Sequence, residues 1–317
     1  MNIIFFGSTE DSVIVARTLH GKYPLSAVVT QPEKPVGRDK IITKTPLALW
    51  AIEQKLPCLT FVADEEQGWK YKNDDDVTNS LATFKPDLFV TACYGQKLPS
   101  AALKLPKHGS INLHPSLLPR WRGADPVPWT IIAGDAQTGV TISIITDSFD
   151  SGDIVAQKKI PITEHDLPDP LRTKLFTIGA QLLLETLPTY FKGNSELILQ
   201  KKEDVLVARK LTRTDGFVPF PLITIAIAGT DATREKRLGT VLQEITEPLP
   251  EALLRLLRAL SPWPGIWTTV IVDNQEKRLK LLDYAVRDGK LSIKTVQLEG
   301  KNPVDWETFQ TAYLHRV

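Results

Sequence analysis

Cysteine is scarce in this chain of 317 residues: there are two, Cys58 and Cys93, each within an apolar stretch. They lack the spacing of a metal knuckle or a redox pair, so they are expected to be buried free thiols without chemistry, and a disulfide-stapled architecture is excluded. Long hydrophobic runs are missing too. No stretch approaches the roughly 18 apolar residues that cross a bilayer, so no membrane partner is expected. Met1–Gly7 has no basic flank and no small-residue cleavage site, so it reads as a buried first strand rather than a signal peptide, and a cytoplasmic protein is expected. An excess of one charge is also absent, since the net charge is only +1. Any nucleic-acid partner must therefore be met by local basic patches. Three motifs are lacking. The first strand ends in Gly7-Ser8-Thr9-Glu10 without Gly-x-Gly-x-x-Gly, no P-loop occurs, and no His, Cys or carboxylate cluster has zinc spacing. Dinucleotide, nucleoside triphosphate and zinc chemistry are disfavoured in turn.

The composition is that of a globular enzyme, 42% hydrophobic and 24% charged, and the length suggests two domains. Short apolar runs at 2–6, 25–30, 87–92 and 109–114 alternate with helical-period segments such as Asp11–His20 and Pro46–Gln54. Strands alternating with helices predict an α/β fold with a doubly wound, mainly parallel sheet. Val140–Thr146 and Ile154–Ile162 read as two further strands, and a helix from about Leu171 to Lys192 closes a first domain, residues 1–200. The basic, loop-like text of 201–220 reads as a linker. Residues 221–317 hold a short helix, Ala252–Leu260, and β-type runs near Trp267–Asp273, Arg278–Val286 and Leu291–Leu298, the pattern of a small β-barrel of OB-like kind. The acidic run Asp74-Asp75-Asp76 reads as a solvated loop, and the charged stretch 64–80 carries no motif.

One constellation stands out. Asn112 and His114 lie at the carboxyl end of a predicted parallel strand, where open α/β sheets place their sites. Two apart on a strand, they project to the same side, so an amide and an imidazole can converge on one atom. A second polar element, Asp147-Ser148-Phe149-Asp150-Ser151-Gly152-Asp153, follows another predicted strand, and one of its three carboxylates could reach the imidazole. An amide donor and a protonated imidazole can stabilise the oxygen of a tetrahedral intermediate at an acyl carbon. A neighbouring carboxylate would favour the imidazolium and orient it.

NLHPSLLPRWRGADP at 112–126 together with DSFDSGDI at 147–154 resembles the signature of the 10-formyltetrahydrofolate-dependent formyltransferases. The resemblance implies that family's Rossmann-variant catalytic domain, a catalytic set of Asn112, His114 and Asp150, and transfer of a formyl group to an amine without a metal. ACYGQKLP at 92–99 resembles the segment whose backbone receives the pterin. With the turn at 144–150, this implies a folate site at Tyr94, Gly95, Gln96, Leu98, Ser116, Leu117, Ile144 and Asp147.

The acceptor must be read elsewhere, because related enzymes act on several amines. QPEKPVGRDK at 31–40, running on to Lys44, resembles the insertion loop of those members that formylate methionyl-tRNA, and it offers Lys34, Arg38, Lys40 and Lys44. RKLTRTDGF at 209–217, with Arg209, Lys210 and Arg213, and RALSPWPGIWT at 258–268 resemble the linker and C-terminal domain of the same enzymes. The resemblance thus spans nearly the whole chain. It implies 10-formyltetrahydrofolate as co-substrate, initiator methionyl-tRNA as acceptor and a monomer. Trp263 and Trp267, in a Pro/Gly-rich turn, are taken as structural. An amino-sugar formyltransferase and an inactive folate- or RNA-binding module are the alternatives. The basic loop argues against the first, and the complete Asn/His/Asp set against the second.

Overall fold

The computed structural model describes residues 1–37, 39–237, 240–245 and 247–314, which form two compact units. One holds Met1–Pro126, Gln137–Pro161 and Asp169–Arg209; the other holds Val127–Ala136, Ile162–Pro168 and the chain from Lys210 on.

The first unit opens with β1 (Ile3–Phe6), α1 (Glu10–His20) and β2 (Leu25–Thr30), followed by a hairpin of β3 (Lys34–Val36) and β4 (Ile41–Thr43). Next come α2 (Pro46–Glu53), β5 (Cys58–Thr60), α3 (Asp74–Ala82), β6 (Leu88–Thr91), β7 (Ser110–His114) and β8 (Arg122–Gly123). After α4 (Pro126–Ala133), which from Val127 on belongs to the second unit, the first unit continues with β9 (Gln137–Ile144), β10 (Ile154–Pro161), α5 (Pro168–Phe191) and β11 (Val207–Ala208). The main sheet has seven strands in the order β10-β9-β7-β6-β1-β2-β5. It is parallel from β7 to β5, while β9 and β10 are antiparallel additions at one edge.

The four residues of β1 are all apolar and wholly buried because both faces of the sheet are covered. Ile3 and Phe5 pack with Val15 and Leu19 of α1, Trp50 of α2 and Phe176 of α5. Ile4 and Phe6 face the other way, with Leu81 of α3, Phe89 and Tyr94. Thr9 caps α1 in a reciprocal box with Ser12, and Thr45 caps α2 with Pro46 in its first turn. The expected α/β class and mainly parallel sheet are what the chain forms. Among the described residues no helix is long and apolar enough to cross a membrane.

Several local expectations need correction. Asp74-Asp75-Asp76 is the first turn of α3, not a loop. Asn73 accepts from the backbone N–H of Asp75 and Asp76, and carboxylates suit the partial positive charge of a helix N-terminus. Residues 31–44 contain the β3–β4 hairpin rather than an irregular loop. The stretch 201–220 is not a featureless linker, since β11 pairs with β8 in parallel. Cys58 and Cys93 are free but only partly buried.

The second unit contains α6 (Phe220–Ala228), α7 (Arg234–Arg237), α8 (Leu249–Ala259), β12 (Ile266–Val272), β13 (Gln275–Arg287), β14 (Lys290–Leu298), β15 (Val304–Asp305) and α9 (Trp306–Phe309). Its strands form a barrel-like antiparallel sheet in the order β12-β13-β14-β15. Strand β12 alternates, burying Ile266, Thr268, Val270 and Val272. Amphipathic α8 buries Leu249, Leu253, Leu256 and Leu257. The apolar text after Phe217 is the helix α6, closed by Gly229 in a left-handed C-cap.

Gly152 shows how tightly the loop after β9 is drawn in. A Cβ there would lie 2.0 Å from the carbonyl oxygen of Ile144, a backbone atom that cannot step aside. Gly152→Ala is therefore expected to cost about 1–3 kcal/mol, read as a lower urea midpoint with unchanged slope; an unchanged midpoint would show that the loop yields freely.

Candidate active site

Strand β7 delivers the site because its two faces differ in character. Ile111 and Leu113 point into the hydrophobic layer beneath α5, while Asn112 and His114 alternate to the opposite side. Asp150 comes to them from the loop between β9 and β10. It holds a left-handed backbone, φ 52°, a conformation disfavoured for any residue with a side chain.

Two donors meet the Asp150 carboxylate, and the His114 imidazole lies beside them. Asn112 Nδ2 donates to Oδ1 at 3.2 Å, the Gly123 backbone N–H donates to Oδ2 at 2.9 Å, and His114 Nδ1 lies 3.5 Å from Oδ1. The side chains of His114 and Asp150 are only 6% and 10% exposed, so this carboxylate depends on those donors for what water would otherwise supply. On its far side His114 Nε2 lies 2.9 Å from the carbonyl oxygen of Trp121. A carbonyl can only accept, so Nε2 carries a proton, and Nδ1 is the nitrogen turned toward Asp150.

The orientation of Asn112 is fixed by Thr91, whose hydroxyl donates to Asn112 Oδ1 at 2.5 Å. With its oxygen occupied, the amide presents its NH2 group to Asp150. Its second N–H has no acceptor among the described residues and is available to a substrate oxygen. Thr91, Gly123 and Trp121 were not foreseen as parts of the site. Gly123 and Trp121 lie inside the quoted 112–126 motif, but Thr91 reaches Asn112 through the β6–β7 register, which the sequence does not display.

The residues expected at the folate site take different places in the structure. Tyr94 is buried; its hydroxyl accepts from Tyr71 at 2.9 Å and its ring meets Phe6 edge-on, so burial holds both phenols well above their usual range. Leu98 is buried in the same layer. Ser116 is fully buried and donates to the carbonyls of Arg120 and Trp121, so its side chain closes the turn after β7. Leu117 packs over Gly139, and Ile144 lies beside Ile111 in the sheet. Asp147 is exposed and accepts from the Ser100 hydroxyl, which ties its loop to the 94–100 segment. Gly95 is left-handed, φ 81°, and exposed.

Gln96 is buried, yet neither side-chain polar atom has a partner among the described residues. Such a group in an irregular segment fits a site completed by a polar ligand. Burial and the charge of Asp11 push the neighbouring Cys93 thiol up to about 12, which disfavours the thiolate. The charged stretch 64–80 also reaches this region: the Trp69 carbonyl accepts from the Lys97 N–H at 2.8 Å, and its ring meets Phe149 edge-on at 6.0 Å.

Of the residues expected to meet RNA, Lys34, Lys40 and Lys44 are exposed on the β3–β4 segment. Lys34 donates to Gln31 Oε1 at 2.8 Å and Lys44 pairs with Glu33. That hydrogen bond and the Glu33 charge raise Lys44, which stays a cation at neutral pH. Arg38 lies outside the described residues. Arg209, Lys210 and Arg213 are exposed, and each is engaged: Arg209 and Lys210 through contacts of their own, Arg213 through its carbonyl, which accepts the Trp267 indole N–H. Trp267 is packed structurally, its ring tilted against Phe217 at 4.8 Å and under the Arg278 guanidinium, whereas Trp263 is exposed, contrary to expectation.

Residues 1–187, which include the Asn112–His114–Asp150 cluster at the carboxyl end of parallel strand β7, match the formyl transferase family, to which the chain belongs. The methionyl-tRNA formyltransferase of Listeria welshimeri is 37% identical over 289 residues, 91% of this chain and 80% of the relative. That of Listeria monocytogenes is 34% identical over 333 residues, 98% of this chain and 95% of the relative. Among solved structures, a sugar N-formyltransferase from a Shewanella species superposes with a TM-score of 0.58 at 20% identity, covering 90% of this chain and 99% of that one, a likeness of fold alone.

Proposed function

We infer that this chain transfers the formyl group of 10-formyltetrahydrofolate to the α-amino group of methionyl initiator tRNA. The observation that carries the chemistry is the convergence of Asn112, His114 and Gly123 on the Asp150 carboxylate. As the amine adds to the formyl carbon, negative charge grows on the formyl oxygen. The free N–H of Asn112 is a preorganised donor for that charge, and such a donor needs no reorganisation during reaction. His114 keeps one proton against Trp121, while Nδ1 takes the proton released by the attacking amine and returns it to N10 of the folate as the bond between the formyl carbon and N10 breaks and tetrahydrofolate leaves. The 3.5 Å separation of His114 from Asp150 lets the imidazole loosen toward the amine and tighten afterwards. Asp150 orients both partners and balances the charge on the imidazole.

The folate site is assigned to the backbone of Tyr94–Leu98 with Ser116, Leu117, Ile144 and Asp147 around it. The unpartnered Gln96 amide and the left-handed turn at Gly95 support that reading. The RNA surface is assigned to Lys34, Lys40 and Lys44 with Arg38, and to Arg209, Lys210 and Arg213. Residues 221–317 are taken as the tRNA-binding domain, and a cytosolic monomer goes with this reading. The relatives that cover 91–98% of the chain carry the acceptor, because they include the second unit as well as the first. The test is an acceptor panel with one formyl donor: methionyl-tRNA, free methionine, glycinamide ribonucleotide and a nucleotide-linked amino sugar. Methionyl-tRNA is expected to exceed the others in kcat/KM by at least about a hundredfold; equal or better use of the amino sugar would overturn the assignment.

A further inference from the structure

Residues 192–209, which follow the last long helix of the first unit, return to the back of the Asp150 loop. Ile198 forms a two-way backbone bridge with Ile154, and β11 pairs with β8. Between these two anchors sits Gln200, 6% exposed. Its Nε2 donates to the carbonyl oxygens of Asp150, at 2.9 Å, and Gly152, at 2.6 Å. Its Oε1 accepts both Nε and Nη2 of Arg122, at 3.0 and 2.7 Å. The amide has one workable orientation. Turned over, it would set NH2 against the guanidinium and oxygen against two carbonyls.

These contacts close a ring. The Asp150 carboxylate holds the Gly123 N–H, the preceding Arg122 grips the Gln200 oxygen, and the Gln200 nitrogen holds the Asp150 carbonyl. The backbone at the centre is the left-handed turn of Asp150, which needs its surroundings to hold it. We propose that Gln200, oriented by Arg122, is a positioning residue of the reaction: it sets the backbone of Asp150 and, through it, the carboxylate on which Asn112 and His114 converge. The kinetic side of this proposal rests on the function given above, while the ring itself does not.

Gln200→Glu tests it cleanly, because the variant keeps the length and an acceptor for Arg122 but has no N–H for the carbonyls. Two readouts are needed, amide hydrogen exchange at Gly123 and steady-state kinetics. Exchange at Gly123 should be at least about tenfold faster, and kcat should fall about tenfold with both KM values within about twofold. In an Asp150→Asn background the same change should cost no more than about twofold, since there is no carboxylate left to aim. Arg122→Lys, which cannot grip bidentately, should move both readouts the same way by less, and it serves if Gln200→Glu folds poorly. Unchanged Gly123 exchange, or an equal kcat loss with and without Asp150, overturns the proposal. The exchange readout needs no substrate. If Gly123 loses protection while the unaltered chain leaves methionyl-tRNA unformylated, the ring stands and the acceptor assignment falls.

Discussion

Asn112→Ala is expected to lower kcat by about two orders of magnitude or more while the chain still folds, because it removes a fixed donor aimed at a developing charge; losing its bonds to Thr91 and Asp150 should cost about 1–3 kcal/mol of stability. Asp150→Asn should be as damaging, for a reason visible in the donor count. Gly123 N–H and Asn112 Nδ2 donate to different oxygens of the carboxylate. An amide offers one oxygen and one NH2, so at least one of these donors would face another donor. Asp147→Asn should retain clearly more activity than Asp150→Asn, since Asp147 is exposed, engages the Ser100 hydroxyl and does not meet Asn112 or His114. Steady-state kinetics on the three variants with melting curves measures this. A severe loss at Asp147 and a mild one at Asp150 would move the catalytic carboxylate by three residues.

The second large effect concerns the acceptor. Each phosphate contact made by a cation releases condensed counterions, so apparent affinity for methionyl-tRNA should fall steeply with salt. Lys34 and Lys40 are exposed on the β3–β4 segment, where Lys34 gives up only a bond to Gln31 on substitution. The Lys34→Ala/Lys40→Ala double variant should weaken tRNA use about thirtyfold at moderate salt. It should also flatten the salt slope by about one unit per lost contact. KM for the folate donor should stay within about twofold. A double variant with an unchanged slope would mean that the hairpin cations are merely solvated.

The parallel sheet was legible because its strands are buried on both faces and so stand out as unbroken apolar runs, as at Ile3–Phe6 and Leu88–Thr91. Asn112 and His114 were legible because strand alternation is a local property. What escaped notice was set by distant partners or by competing local signals. Asp74–Asp76 looks like a solvated loop by charge, and only the Asn73 cap reveals a helix start. Thr91 and Gln200 act on Asn112 and Asp150 across sequence separations of 21 and 50 residues. No periodicity announces such pairs. The text at 201–220 reads as a linker because β11 is two residues long and gains meaning only against β8. The placement of Trp263 is not legible because a Pro/Gly-rich turn is compatible with a buried or an exposed ring, and here the residue is 55% exposed.

The most direct measurement is a single-turnover reaction with 10-formyltetrahydrofolate labelled in the formyl carbon, enzyme in excess over methionyl initiator tRNA. The label is expected to move into acid-precipitable tRNA and to be recovered after deacylation as N-formylmethionine, with the rate reduced about a hundredfold or more in Asn112→Ala. Label that stays on the folate in the presence of methionyl-tRNA, or that reaches N-formylmethionine equally fast without Asn112, would contradict the assignment of this site and its acceptor.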